Sequence, residues 1–477
     1  MPMTDSTMIS PPDPEQGQDA DKSRPIERFG AQVRFLLQSG YAAIRGGGYR
    51  PRSYDDEILA EMTGTPADDS WVWADGQSLA GIRSFLPAPV AAADRAWAPS
   101  AADEIYAAFD ASQPVDEPQD LRGRDEQIAQ LMRGVLYRRT HGVVSGPRGS
   151  GKTSLVRVFA QYAESEGVIV FYVACNRGST FAELMHDFLE QIPTYAVDPD
   201  KIELFTERVS QFGRDGTPHQ AASIFSLIRY SQIVLVVDEF ERVESTEFYW
   251  KVASLLKLIS DSRVPVRLVA VGGTSIFDQV ISEHPSLMRN LTRLTTEPLT
   301  PTAIDEVLDG CAERCEMRFT AEAKKLLCDV VCGSPYHARL FGMHSALAAA
   351  ANRETAIARS DVLEGLSRAF DEWASLNRED ASAFLAIMSG AKGDPRQYMA
   401  AARRLATPEE QKSAAATLRK LYDANEQRVL KALAPAVEWS DSGVVFRDST
   451  AAQFLIALQY ISTGHRRSRR TEGGSRV

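Results

Sequence analysis

An octapeptide rich in glycine constrains the fold of this chain more than any other segment. Residues 146–153 read Gly-Pro-Arg-Gly-Ser-Gly-Lys-Thr, a pattern of glycine, four residues and then Gly-Lys-Thr. Glycines let the backbone turn with its N–H groups directed inward, where they cradle a phosphate chain. Val143 and Val144 precede the octapeptide, and apolar residues at helical spacing follow it. The segment therefore predicts a strand, a phosphate-binding loop and a helix in succession.

The residues of this octapeptide divide the binding of a polyphosphate between them. The helix that begins here adds its positive N-terminal end. Lys152 is expected to reach the β- and γ-phosphates, and Thr153 to supply a hydroxyl to Mg²⁺. A glycine-rich turn without a ligand is the alternative. The predicted nucleotide contacts are Gly146, Pro147, Arg148, Gly149, Ser150, Gly151, Lys152, Thr153 and Ser154.

A second segment has the properties that a metal site beside this loop requires. Ile233–Val237 is uniformly apolar and is followed directly by Asp238 and Glu239. Ligands bind beyond the carboxyl ends of parallel strands, so we expect both acids close to the octapeptide, on a neighbouring strand. Asp238 is predicted to hold Mg²⁺ through water, and Glu239 to polarise the attacking water. The alternative is a buried strand that ends in two solvated acids.

The apolar pattern divides the chain into six segments. In the central one, apolar runs of strand length alternate with helical patterns, which is typical of a parallel sheet covered on both faces. We therefore predict an α/β fold. The segments are a disordered leader (1–25), an accessory region (26–118), the α/β core (119–300), a helical lid (301–375), a mostly helical, winged-helix-like module (376–462) and a basic tail (463–477).

The winged-helix interpretation depends on one short pattern near the end of the chain. Ala436–Trp439 and Val444–Arg447 flank Ser440–Gly443, which predicts a β-hairpin with a short loop. A helix is predicted over residues 450–461, directly after the hairpin. Helices followed by a hairpin fit a winged helix, and other small α+β folds fit them as well.

Taken together, these residues resemble the AAA+ P-loop ATPases, in the branch that contains origin-recognition initiators and the STAND signalling ATPases. The resemblance covers residues 119–375 and implies ATP and Mg²⁺ as cofactors. Leu121–Asp125 is similar to the box that borders the adenine pocket in this branch, which implies a nucleotide contact for Arg124. Val269–Thr274 is similar to the sensor 1 strand, which implies that Thr274 (or Ser275) faces the γ-phosphate; asparagine is common there in the family.

Two arginines gain a role from the same resemblance. Arg289 stands in the place of the arginine finger, with Arg293 as the second candidate, which implies action on a neighbouring subunit's nucleotide. Gly333–Arg339 is similar to the sensor 2 segment, which implies that Pro335 and Tyr336 lie near the base and that Arg339 contacts the γ-phosphate. The spacing from glycine to arginine is longer than in the initiators. An ordinary exposed arginine is the alternative at both positions.

Composition indicates the cellular compartment in which the protein is expected. No stretch approaches the roughly 20 apolar residues of a membrane span, and the first residues lack the pattern of a secretory signal. Five cysteines without an export signal favour a reducing compartment, so we expect a cytoplasmic protein. Four of them, Cys311, Cys315, Cys328 and Cys332, permit a zinc site, but buried free thiols are the more ordinary interpretation.

Charge leaves the choice of partner open. The net charge of −11 argues against a nucleic-acid coat. The last segment nevertheless concentrates Arg466, Arg467, Arg469, Arg470 and Arg476, a run that suits phosphate backbones or acidic partners and that is by default a solvated, disordered tail.

Three classes of function remain: a Mg²⁺-dependent ATPase switch that acts on DNA, a STAND-type signalling or phage-defence ATPase, and a nucleotide-dependent scaffold that hydrolyses little. In the second class the C-terminal module controls oligomerisation or the sensing of a partner. The expected partners are ATP and either DNA, a protein or further copies of the chain.

Overall fold

A five-stranded parallel sheet organises the first half of the described chain. The computed structural model describes residues 99–229, 231–273, 285–388, 433–440, 443–448 and 450–472. All neighbouring strands of the sheet run parallel, in the order β2-β3-β4-β1-β5. The strands are β1 (His141–Ser145), β2 (Ile169–Ala174), β3 (Ile233–Asp238), β4 (Val266–Gly272) and β5 (Leu291–Thr295). This arrangement confirms the predicted α/β class.

Position in the sheet explains the composition of each strand. Every residue of β1, β3 and β4, the three inner strands, is buried. Both faces of an inner parallel strand are covered, so its sequence is almost continuously apolar. The outer strand β5 instead alternates, with Thr292 and Leu294 buried and Arg293 and Thr295 exposed. The uniform apolar pattern that identifies the other strands is therefore missing from β5, and the sequence did not predict it.

Helices cover both faces of the sheet. Successive strand residues enter different cores, because side chains of a strand alternate between its faces. Val143 and Val237 belong to one apolar cluster, whereas Val144 and Val236 belong to another. The helices of this region are α1 (Pro99–Phe109), α2 (Asp125–Met132), α3 (Lys152–Ser165), α4 (Phe181–Gln191), α5 (Ile202–Ser210), α6 (Pro218–Phe225) and α7 (Thr246–Asp261). Helices α4 to α7 complete the first cluster, and α2 and α3 complete the second.

A helical domain follows the sheet, as predicted for the lid. It contains α8 (Pro301–Arg314), α9 (Ala321–Val331), α10 (Pro335–Ala351), α11 (Arg359–Leu376) and α12 (Arg378–Met388), with a short parallel pair, β6 (Arg318–Phe319) and β7 (Ala356–Ile357). Thr300, Thr320 and Ser334 each accept a backbone N–H in the first turn of the helix that they precede, which fixes three of the helix starts. Helix α1 packs into the same apolar cluster through Phe109, so this helix from the predicted accessory region belongs with the lid.

The end of the described chain packs against the lid. The predicted hairpin is present as β8 (Val437–Ser440) and β9 (Gly443–Phe446), with Val437 opposite Phe446. It is followed by α13 (Ala451–Glu472), whose backbone continues into the basic segment beyond the predicted end at residue 461. Trp373 of α11 stacks on Phe454 of α13 with ring centroids 4.7 Å apart. Lid, hairpin and last helix thus share one apolar core.

The helices bear on two points raised by composition, namely a membrane span and a zinc site formed by four cysteines. None of the helices in the described ranges is both long and apolar enough to cross a bilayer. Cys311 and Cys315 are buried, and the Cys328 thiol donates to Asp305 Oδ1 at 3.3 Å. Within the described chain, no three His, Cys, Asp or Glu residues are grouped as metal ligands would be.

Two buried histidines predict a loss of stability in acid. His141 Nδ1 accepts the Leu268 N–H at 3.0 Å, and His337 lies between Ser334 Oγ and the Thr450 carbonyl. Burial lowers the pKa of each to about 3. An unfolded histidine has a pKa of about 6.5, so the unfolded state binds more protons between these values, and stability falls as the pH drops from 6.5 towards 3 by up to about 1.4 kcal/mol per pH unit for each histidine.

We therefore expect the thermal unfolding midpoint to fall between pH 7 and pH 5, and His141→Gln to reduce that difference even if it lowers both midpoints. The exposed His219→Gln is the control and should leave the difference unchanged. An equal pH dependence in all three proteins would contradict the assignment.

Candidate functional site

The glycine-rich octapeptide forms the loop between β1 and α3, as the sequence predicts. Strand β1 ends at Ser145, and α3 begins at Lys152, so the loop presents the N-terminal end of a long helix. Gly149 and Gly151 adopt left-handed conformations, with φ of 77° and 85°. Side chains other than glycine enter that region at a cost, and a Cβ on Gly149 would also lie 3.3 Å from Tyr336 Cβ. Both glycines are therefore required by the shape of the loop.

Lys152 places a positive charge inside this loop. Its Nζ donates to the carbonyl oxygens of Gly146 and Pro147, each at 3.0 Å. Burial lowers the pKa of Lys152, and the carboxylates of Glu241 and Asp238 oppose that change. A cation held among carbonyl oxygens at a helix N-terminus suits a polyphosphate, because the phosphate supplies the countercharge that the loop lacks.

Asp238 meets the loop through Thr153. Thr153 Oγ1 donates to Asp238 Oδ2 at 2.8 Å, and the Glu239 N–H donates to Asp238 Oδ1 at 2.8 Å. The Tyr172 hydroxyl of β2 donates to the same Oδ2 as Thr153. Burial and the neighbouring carboxylate raise the pKa of the Tyr172 phenol well above its ordinary value, so it remains a hydrogen-bond donor. The structure thus brings together the two residues that the sequence assigns to a metal.

One geometric expectation about this contact is wrong. The acids were expected on a strand that neighbours β1, but β4 lies between β1 and β3. Strand order depends on which crossovers the chain takes, and the apolar pattern of a strand carries no information about them. Thr153 and Asp238 still meet, because both extend beyond the sheet at the carboxyl ends of their strands.

Glu239 occupies a strained position directly after β3. It has a left-handed backbone conformation with φ of 53°. Such residues carry about 1–3 kcal/mol of strain and cluster at active sites. Glu239 forms an ion pair with Arg242 at 2.8 Å, and burial raises the pKa of its carboxyl group while Arg242 opposes the rise. The short helical turn Phe240–Arg242 that follows also brings Glu241 to the site, which the sequence did not predict.

Arg124 borders the same cleft as the loop and supports the loop through a hydrogen bond. Its guanidinium is buried, and Nη2 donates to the Ser150 carbonyl at 3.0 Å and to the Glu297 carbonyl at 2.7 Å. Burial lowers the pKa of Arg124 to about 10, and Glu297 opposes this. The sequence interpretation placed Arg124 against a nucleotide. In the structure it joins the phosphate-binding loop to the segment that leads into the lid, and a direct nucleotide contact stays a prediction.

A cleft of about 650 Å³ connects these groups with the lid. The three lid residues predicted to lie at the nucleotide, Pro335, Tyr336 and Arg339, all line it. The Ser334 hydroxyl at the start of α10 donates to the Gly149 carbonyl at 3.5 Å. Residues 111–115 and Phe446 of the hairpin also line the cleft, and no motif in the sequence identifies them.

Arg289 and Arg293, the two arginine-finger candidates, do not line this cleft. Arg289 lies exposed in the helical turn Pro285–Asn290, and Arg293 lies exposed on β5. Neither lines the cleft of its own chain, so a role for Arg289 in a neighbouring subunit stays a prediction. Thr274 and its substitute Ser275 fall outside the residues that the structure describes.

The parallel sheet, the loop between β1 and α3, and the acids after β3 define a P-loop nucleotide-binding domain. Residues 135–280 match the family model described as AAA domain. This part of the chain therefore matches an AAA domain, which confirms the AAA+ resemblance inferred from the motifs.

The chain is similar to several solved structures at low identity. A Walker-type ATPase of Pyrococcus abyssi is 15% identical, with 73% of this chain and 99% of that chain covered and a TM-score of 0.45. Cdc6p from Pyrobaculum aerophilum is 15% identical, with 76% of this chain and 98% of that chain covered and a TM-score of 0.41. The ORC2 protein of Aeropyrum pernix is 16% identical, with 75% of this chain and 98% of that chain covered and a TM-score of 0.42. At these values the likeness assigns no function. No curated protein matches the sequence.

The position of Arg124 predicts that nucleotide affinity depends on it. Arg124→Gln removes a charged donor from two carbonyl oxygens, a change of about 1.5–3 kcal/mol per such hydrogen bond, so the loop loses its support. We expect about a tenfold or larger rise in the dissociation constant of a fluorescent ATP analogue. The control is Arg138→Gln, at an exposed arginine outside the cleft. Equal affinities for both variants would contradict this role.

Proposed function

We propose that this chain binds ATP with Mg²⁺ in the cleft, hydrolyses the ATP slowly and uses the cycle as a molecular switch. The observation that carries the proposal is the hydrogen bond from Thr153 to Asp238, with Lys152 inside the loop and Glu239 beside the acid. A hydroxyl, an ammonium group and two carboxylates converge where the amides of a glycine-rich loop end. Such a set suits a triphosphate and its metal ion.

The donor set fits magnesium. Mg²⁺ prefers oxygen ligands and is usually bound through one or two carboxylates together with substrate phosphates, rather than by a cage of protein ligands alone. Thr153 and Asp238 offer a hydroxyl and a carboxylate oxygen in contact with each other. These two residues would hold the ion, which when bound would neutralise charge on the phosphates.

The protein's own groups account for the remaining steps. Lys152 would neutralise the phosphates from inside the loop, and Arg339 would approach them from the lid. Glu239 would orient the attacking water and accept its proton. The raised pKa of its carboxyl group makes it a better base than an ordinary glutamate. Its ion pair with Arg242 would have to loosen for that role, which suits a slow, regulated hydrolysis.

The lid offers a route from nucleotide to the end of the chain. Helix α10 begins at the cleft with Pro335 and Tyr336, and the next residue, His337, contacts the Thr450 carbonyl at 3.1 Å. Further along the same helix, the rings of Phe341 and Phe454 lie 5.4 Å apart. A movement of α10 on nucleotide binding would therefore displace the hairpin and α13.

Two outputs fit this switch, and the first is action on DNA through a winged-helix-like C-terminal module. Its support is the hairpin followed by a helix, together with the arginines at the end of the chain.

The second output is STAND-type signalling or phage defence, in which the C-terminal module controls oligomerisation or senses a protein partner. A specific contact favours it: Phe446 of the hairpin lines the cleft itself, and the Trp373 indole N–H donates to Asp448 Oδ2 at 3.1 Å. A module held so close to the nucleotide is well placed to be controlled by it.

Glu239→Gln tests the enzymatic part of the proposal. The amide keeps the shape of the side chain but is a poor base, so we expect ATP binding to be retained and turnover to fall about 10²–10⁴-fold. Turnover is measured as phosphate release at saturating ATP and Mg²⁺. Glu244→Gln, an exposed glutamate paired with Arg177, is the matched control. Unchanged turnover in Glu239→Gln would remove this residue from its role.

Salt dependence separates the two outputs. Phosphate contacts release counterions, so a DNA-binding switch should lose affinity about 10³-fold or more between about 50 and 200 mM salt, provided that it makes several such contacts. A chain that ends at residue 462 should bind DNA more weakly and with a shallower slope. The signalling alternative predicts no DNA shift and a change of mass on exchange of ADP for ATP. Mobility shift and light scattering on the same sample decide between them.

A further inference from the structure

Tyr172 is a polar residue that no motif explains, and it contacts the most constrained carboxylate of the cleft. It belongs to β2, and its register partner on β3 is Val236, two residues before Asp238. Side chains two residues apart on a strand share a face, so Tyr172 and Asp238 lie on the same side of the sheet. The phenol hydroxyl donates to Asp238 Oδ2, the oxygen that also accepts from Thr153.

The carboxylate of Asp238 is consequently held by three donors from three different elements. Thr153 belongs to the first turn of α3, Tyr172 to β2, and the Glu239 N–H to the backbone directly after β3. Two donors on Oδ2 and one on Oδ1 fix both the position and the rotation of the carboxylate. Without the phenol, Oδ2 would keep a single donor, from a helix that would itself contact the nucleotide.

The ring of Tyr172 is held in turn from its other side. The Arg157 guanidinium lies 5.8 Å from the ring centroid, at a distance where a cation is attracted to an aromatic face. Arg157 Nη1 also forms an ion pair with Asp116 Oδ1 at 2.8 Å. The residues just before Asp116 line the cleft, and the Val115 N–H donates to Ser154 Oγ at 3.0 Å. Arg157 and Asp116 therefore connect Tyr172 with the segment that lines the cleft.

We propose that Tyr172 is a positioning residue for the metal-binding carboxylate and thereby sets the affinity of the site for Mg²⁺. The inference rests on the proposed function, since it assigns Asp238 to the metal. Groups that orient a metal-binding residue typically change metal affinity 10–100-fold when they are removed. The phenol makes the carboxylate ready for the ion and does not itself contact nucleotide.

Tyr172→Phe in the full chain tests this, because it removes only the hydroxyl. Binding of a fluorescent ATP analogue is measured first in EDTA and then during a titration with Mg²⁺. We expect the affinity in EDTA to stay within about twofold of the wild type and the Mg²⁺ midpoint to rise about 10–100-fold. A merely structural role would weaken binding in EDTA as well. Tyr162→Phe, an exposed tyrosine on α3, is the control and should match the wild type.

A double variant tests whether Tyr172 acts through Asp238. In an Asp238→Asn background, the Mg²⁺ midpoint is already raised, and adding Tyr172→Phe should change it by less than about twofold. If Tyr172→Phe does not fold, Arg157→Met replaces it: this variant keeps the hydroxyl, removes the cation over the ring and is expected to raise the midpoint in the same direction.

The outcomes separate this inference from the function on which it rests. If the wild type binds no nucleotide, the proposed function fails. If the wild type binds nucleotide more tightly with Mg²⁺ and the folded Tyr172→Phe protein has an unchanged or lower midpoint, only the role of Tyr172 is overturned. For Arg157→Met, an unchanged midpoint has the same meaning.

Discussion

The site depends on one hydrogen bond, from the Thr153 hydroxyl to the Asp238 carboxylate. It joins the first turn of α3 to the end of β3, although β4 separates β3 from β1, the strand that precedes α3. The inner strands are buried on every residue, so the two ends that carry these groups are held by a rigid sheet. A rigid sheet allows a short polar contact to persist where two flexible loops would not.

Much of the fold could be predicted from the sequence, and what could not has physical reasons. The inner strands β1, β3 and β4 are identifiable because burial on both faces favours mostly apolar residues. Strand β5 was not predicted, because one side of it is exposed at Arg293 and Thr295 and its sequence is therefore not uniformly apolar. The order of the strands depends on crossovers that leave no mark in a local pattern. The hairpin was identifiable because its register follows from a short loop between two apolar runs.

The same distinction applies to the residues of the site: those that follow a sequence pattern could be located, and those that reach the site through the fold could not. Lys152 and Thr153 could be located because phosphate chemistry fixes the spacing of the octapeptide, and Asp238 because it ends a buried apolar strand; their roles stay predictions. Tyr172 and Glu241 were not, since each reaches the site through a strand register or a turn rather than through a motif. Arg124 was recognised, but its contacts with two carbonyl oxygens depend on the approach of residue 297, which is distant in sequence. The proximity of Phe446 depends on how the last helix packs, which no local pattern records.

The two contacts of Arg124 have a mechanical consequence. A single guanidinium holds the carbonyl of Ser150 in the loop and that of Glu297, and shortly after Glu297 the Leu299 N–H donates to the Gly333 carbonyl at 2.8 Å. The chain enters the lid here, and the segment that begins α10 is tied to the same place. A rotation of the lid against the sheet would therefore have its axis close to Arg124, where displacements are smallest. The far ends of α10 and α11 would travel furthest, so a small rearrangement around the phosphates would become a large one at the opposite end of the lid.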